Sequence, residues 1–331
     1  MPPVLPDLPA PGDLARWLFW VRLRDLLSAD QPERLQRLWP LWRAQYLAAT
    51  PHHGLLREEL QRCFGRSDES ILQDAYRLAF RSHFQELLLG KLDRDNIHLH
   101  MRFENQHHLD AALQRGKGAI ILCPHAGNVM MMIAMVSLSG YRYTQYAARG
   151  LAPPDVAALH PELFGHNRWR REAREVRESA EDQLPASFLT MDTPVRELLR
   201  RLGRNEVVGI AYDGRLGKKF VPVDYLGRKA LLNPGPYKMA CTSGAAIVPT
   251  FCYAPNDGPE ICHFGAPIFP GGRSAEAIMA QFLHEAAEPF LRAHPESYAI
   301  WLLHCRQRAA VDDHPFFVDY APDQRWRRWE G

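Results

Sequence analysis

The sequence predicts an α/β fold, a mixed, mainly parallel sheet with helices on both faces, behind an N-terminal helical lead-in. Three observations predict it. Short continuous apolar runs bounded by turn residues, Ala119–Cys123 above all, read as strands buried on both faces. Segments of helical period stand between those runs, the alternation that gives parallel strands joined by helical crossovers. Ahead of them, residues 31–92 place apolar side chains three and four positions apart. We read residues 1–92 as an N-terminal helical region and 93–331 as the α/β domain.

A chain of 331 residues with 46% hydrophobic content can build a large core. A formal net charge of +2 gives no reason to expect nucleic acid as a partner. The six cysteines show no CxxC spacing, and most sit in apolar contexts. They read as reduced, buried thiols of a cytoplasmic protein, without a metal site. The pairs His52-His53 and His107-His108 lack matching ligands and read as surface residues. Residues 1–13 hold five prolines and no basic region of a secretory signal. No window is long and apolar enough to span a membrane.

Taken in order, residues 14–27 (LARWLFWVRLRDLL) set Trp17 and Trp20 among apolar residues interrupted by Arg16, Arg22 and Arg24. That composition suits a helix lying at a membrane surface, and equally one packed on the main domain. Leu35, Leu38, Leu41, Trp42 and Tyr46 form the next stripe, which Pro51 is expected to close. Further helices are expected at 54–64 and from Ser67 onward, and a short strand at 102–104, followed by a helix over 108–114.

The pivotal stretch is GKGAIILCPHAGNVMMMIAMV at 116–136. It reads as a buried strand that delivers His125 to the edge of the sheet, then Gly127 and Asn128, then a helix. A neutral imidazole there can accept a proton, and main-chain N–H groups at Gly127 and Asn128 can face developing negative charge. The same stretch also accommodates a core histidine at a strand end. Residues 142–147 read as the next strand, with Arg149 just beyond it. The charge-rich segment RWRREAREVRESAED at 168–182 reads as an exposed helix, and 193–202 as a short helix capped by Thr193. The strand at 206–212 ends in Asp213-Gly214-Arg215, on the sheet edge that holds His125. A hairpin is expected about 226–228. Asn233-Pro234-Gly235-Pro236 then opens a helix, with Gly235 suited either to close ligand approach or to a tight turn. Strands follow at 246–251 and 260–264, an amphipathic helix at 275–293, and an extended segment at 300–304. Trp326 and Trp329 stand in a basic tail suited to the membrane or to the protein's own surface.

The arrangement GAIILCPHAGN, preceded by NQHHLDAALQRGK, resembles the start of the catalytic region of lysophospholipid acyltransferase-like proteins. The nearest branch is the bacterial lipid A late acyltransferases, which add lauroyl or myristoyl chains. DGRLGKKFVPVDYLGRKA, NPGPYKMACTSGAAIVPTF and HPESYAIWLLHCR follow in matching order, so the resemblance covers nearly the whole chain. It departs at one place: such proteins carry HxxxxD or HxxxxE, and the acid position here is Met130. The resemblance implies an acyl-thioester donor, acyl carrier protein or coenzyme A, and a lipid or lipid-like acceptor. It implies no further cofactor, and peripheral contact with the inner face of the cytoplasmic membrane. It implies that His125 acts as base, that Arg149 contacts acceptor or phosphate, and that Asn233 and Gly235 line the donor site. Because Asp213 and Arg215 share the strand-end edge with His125, one of them is expected to join the site, Asp213 in place of the missing acid. A catalytically silent, carrier-binding subunit is the alternative that Met130 leaves open.

Overall fold

The computed structural model of the chain describes residues 11–147, 168–190, 193–215, 219–255, 258–309 and 314–320. Its framework is a seven-stranded sheet built from β1 (Met101–Glu104), β2 (Ala119–Cys123), β3 (Tyr143–Tyr146), β4 (Ser187–Leu189), β5 (Val207–Ala211), β8 (Ala246–Tyr253) and β9 (Glu260–Phe264). A separate hairpin pairs β6 (Val221–Tyr225) with β7 (Arg228–Leu232). The sheet order is β1-β9-β8-β2-β5-β3-β4, and every pairing is parallel except β8 with β9. The centre is therefore a parallel block, with β1 and β9 running the other way at one edge.

Every residue of β2 is buried, because the strand lies between β8 and β5 and both its faces are covered. Successive side chains point to opposite faces. Ile120 and Leu122 therefore join one apolar cluster, with Val208, Ile210, Leu60 and Ile71, while Ala119, Ile121 and Cys123 join the other, with Val207, Val248 and Met131. The helix Val129–Leu138 buries eight of its ten residues, which is why its sequence is apolar all round. Side chains of the first 92 residues enter both clusters, Leu56 and Leu60 in one, Trp20 and Leu35 in the other.

Several sequence expectations are corrected. Pro51 does not close a helix; it sits in the first turn of Thr50–Phe64, where its missing N–H leaves no bond unmade. Residues 300–304 are not extended but lie inside the helix Pro295–Arg308. The buried residues Tyr298, Ala299, Leu302, Leu303 and Cys305 recur there at helical spacing. Thr193 is not the cap, since the N-cap position of Val195–Gly203 is Pro194. The charge-rich helix Arg168–Glu181 is not simply a solvated face. Ala173 and Ala180 are buried, Glu172 accepts a hydrogen bond from the Trp17 indole at 2.8 Å, and Arg177 bridges Glu86 and Glu181. Of the histidine pairs, His108 bonds the Phe264 carbonyl and His53 packs against Tyr46 and Tyr76. Cys241 is exposed, whereas the other five thiols are buried.

Candidate active site

The register of β2 and β5 brings the two central residues together. Cys123 and Ala211 are partners in the ladder, and the Tyr212 N–H bonds the Cys123 carbonyl at 3.0 Å. Two residues further along each parallel strand come His125 and Asp213. The imidazole Nδ1 lies 2.7 Å from Asp213 Oδ1, and the His125 main-chain N–H donates to Oδ2 at 2.9 Å. Asp213 is fully buried, while the His125 side chain is 39% exposed. A buried carboxylate beside Nδ1 favours the tautomer with its proton there, leaving Nε2 as the acceptor. Among the described residues no protein group bonds Nε2.

The helix Pro295–Arg308 completes the arrangement. The Tyr298 hydroxyl donates to Asp213 Oδ2 at 2.9 Å. Burial, with the nearby Asp213 charge adding to it, pushes that phenol well above its ordinary pKa, so it stays a donor at any ordinary pH. Trp301 stacks on the imidazole, with ring centroids 3.9 Å apart and planes 16° from parallel. Ser297, Tyr298 and Trp301 lie in the block HPESYAIWLLHCR, but with 300–304 expected to be extended nothing placed them on one helical face beside His125. The spacing of apolar residues behind Pro295 is the local signal for that helix.

The other predicted site residues fall in different places. Gly127 turns the chain at φ +62°, and its N–H donates to the Ser297 carbonyl at 3.0 Å. It is therefore engaged in holding the loop and is not a free donor for an oxyanion. The Asn128 side chain caps the following helix by accepting the Met131 N–H, and its main-chain N–H faces the buried Glu260 carboxylate. That group too is corrected from oxyanion donor to structural support. Arg215 donates to the carbonyls of Leu231 and His314 at 2.8 and 2.7 Å and lies over Phe220, so it fastens the hairpin. Asn233 Oδ1 accepts the Gly235 N–H at 2.7 Å, which makes the pair a tight turn at a helix start. Arg149 lies outside the described residues, as do Trp326 and Trp329. Met130 packs against the apolar cluster on its side of the sheet. A cavity of about 240 Å³ opens among Trp39, Arg77, Arg81, Tyr253 and His294, and His125 is not among the residues that line it.

The sequence profile described as "Bacterial lipid A biosynthesis acyltransferase" matches residues 44–307. The chain belongs to that family. This acyltransferase is 26% identical over 231 residues, 69% of its own length and 70% of the relative's, to a phosphatidylinositol mannoside acyltransferase of Mycolicibacterium smegmatis. It is 28% identical over 194 residues to the protein of the same name from Mycobacterium tuberculosis, covering 58% of the acyltransferase and 55% of that relative. It thus spans about half the length of the second.

Proposed function

We propose that this acyltransferase moves an acyl group from a thioester donor, acyl carrier protein or coenzyme A, to a hydroxyl or amine of a lipid or lipid-like acceptor. In this reading His125 is the general base and Asp213 the carboxylate that orients it. The observation that carries the proposal is the 2.7 Å contact between Nδ1 and Oδ1, with Nε2 left toward an accessible face. Nε2 takes the acceptor's proton as its oxygen or nitrogen attacks the thioester carbonyl carbon. The tetrahedral intermediate then collapses, the carbon–sulfur bond breaks, and the imidazolium returns the proton to the leaving thiolate. The products are an ester or amide and a free thiol, so the donor is a co-substrate and no further cofactor takes part. The names of the relatives, phosphatidylinositol mannoside acyltransferases, support a lipid-like acceptor.

Membrane contact belongs to the same proposal. Trp17 and Trp20 pack inward, but Leu14, Leu18 and Leu26 are exposed beside exposed Arg16 and Arg22. That mixture suits the headgroup boundary of an anionic bilayer, on its cytoplasmic side. No helix among the described residues is long and apolar enough to cross a membrane.

The test supplies dodecanoyl-acyl carrier protein or dodecanoyl-coenzyme A with a bacterial lipid extract. It follows thiol release and acylated lipid together. His125→Ala should abolish both, and Asp213→Asn should lower turnover by about 10²- to 10⁴-fold. Undiminished turnover in His125→Ala would overturn the proposal. Thioester binding without release in the native protein would instead favour a silent carrier-binding subunit, a reading whose motive, a histidine without its acid, is weakened by Asp213.

A further inference from the structure

We propose that Trp301 is a positioning residue for acyl transfer: its indole covers one face of the His125 ring and, with Asp213 on Nδ1, holds the imidazole so that Nε2 meets the acceptor. The inference rests on the reading of His125 as general base.

Five contacts argue for it. An imidazole on a single hydrogen bond can still rotate about its outer side-chain torsion, because that torsion is broad. Asp213 fixes one ring atom, and the stacked indole at 3.9 Å and 16° fixes the plane. Together they define the ring completely. The indole is itself held: His304, one helical turn on, stacks on it at 5.2 Å and 24°. Its support is a continuous helix whose Tyr298 hydroxyl bonds Asp213 and whose Ser297 carbonyl bonds the Gly127 N–H. Positions 297 and 301 are four apart and 298 and 301 three apart, so all three lie on one helical face. One rigid element thus sets the loop, the carboxylate and the ring at the same time.

An indole does this better than an aliphatic side chain. It is flat, needs only two torsions to be ordered, and its negative face attracts the imidazolium formed during proton transfer. Gly214 lies near the ring edge, where an added Cβ would stand 3.9 Å from His125 Cε1. Loss of the indole would remove the stacked partner from the ring face.

The experiment compares Trp301→Phe and Trp301→Leu with the native enzyme, using dodecanoyl-acyl carrier protein, dodecanoyl-coenzyme A and the lipid extract above. Trp301→Leu should lower kcat by about 10- to 100-fold with KM nearly unchanged, the cost of a misplaced catalytic group. Trp301→Phe, which keeps a flat ring, should recover most of that loss. Added to His125→Ala, Trp301→Leu should change nothing further. In parallel, the His125 ring proton resonance, assigned by its absence in His125→Ala, should be displaced upfield in the native protein and return in Trp301→Leu. This second readout needs no substrate. Native kcat in Trp301→Leu, a fall in Trp301→Phe as deep as in Trp301→Leu, or an undisplaced native resonance would overturn the proposal. Activity surviving in His125→Ala would instead remove the reading beneath it.

Discussion

Asp213 has no contact with water, and a buried carboxylate is stable only where donors surround it. Three do so: the His125 main-chain N–H, the His125 ring and the Tyr298 hydroxyl. Tyr298→Phe removes one of them without emptying the space. We expect a loss of about 1–3 kcal/mol in urea unfolding, with kcat lowered while Asp213 still holds the ring. Met130→Glu is expected to lower stability, by about 1–3 kcal/mol, because an acid there replaces an apolar contact. It should leave kcat unchanged, since Nδ1 already has its carboxylate; a gain in kcat would show that Asp213 serves the ring poorly. Asp213 was legible in the sequence because a strand end on the right edge places it. Arg215, two residues on, shares that edge, but its guanidinium donates to the Leu231 and His314 carbonyls, which no strand-end argument foresees. A guanidinium is long, and whether it turns to a ligand or to two carbonyls of a distant hairpin is decided by packing that sequence spacing does not encode.

The junction between β2 and the helix Val129–Leu138 depends on a glycine. A Cβ at Gly127 would stand 2.4 Å from the Cys252 carbonyl oxygen, and its φ of +62° disfavours any side chain. Gly127→Ala should therefore cost several kcal/mol, on the order of 3 or more, and displace His125, lowering both the melting temperature and kcat. Gly54, exposed in the helix Thr50–Phe64, has no atom within 4 Å of its virtual Cβ. Gly54→Ala should raise stability by about 0.5–1 kcal/mol with native kcat, which makes it the control for the first substitution. Elements of this length were legible where one period dominated. The strands β2, β5 and β8 follow their apolar runs, and the mostly parallel sheet follows from their alternation with helices. The segment at 300–304 failed because five residues, IWLLH, fit either period, and the arbiter was Pro295, five positions upstream. The N-terminal lead-in was legible as helical. Its Trp17 and Trp20, however, find partners in Glu172, Trp169 and the core, contacts too far along the chain for any local pattern to show.

At the scale of the whole molecule, buried charges decide how the fold responds to its surroundings. Arg228 joins the hairpin to the N-terminal helices and the chain's last described turn, donating to Glu59 at 2.7 Å and to Asp319 at 2.5 Å. Arg228→Leu would leave Glu59 buried and short of its main cation, for an expected loss of about 3–5 kcal/mol in denaturant unfolding. Glu260 poses the opposite case. It is fully buried on β9, neither oxygen has a hydrogen bond of good geometry, and Arg81 Nε stands 3.9 Å away. Burial raises its pKa from 4.5 to about 7, with the Arg81 charge only partly opposing the shift. The folded protein then binds a proton at Glu260 more tightly than the unfolded chain does. Its contribution is favourable below about pH 4.5 and is lost as the pH climbs through 7, a fall of about 3 kcal/mol over that window. Carboxylates such as Glu69, held at about 2 by the Tyr46 and Arg57 hydrogen bonds, act with the opposite sign, and lose their contribution as the pH drops from 4.5 toward 2. The net curve mixes many such groups, so the native protein alone does not isolate Glu260. Glu260→Gln does, because it keeps the shape and removes the titration. The stability difference between the two proteins should favour the variant increasingly from pH 4.5 to 7 and be level above about 8. A difference that stays constant across that range would mean that the carboxylate keeps its ordinary affinity for the proton, and that Arg81 and the Asn128 N–H compensate its burial fully.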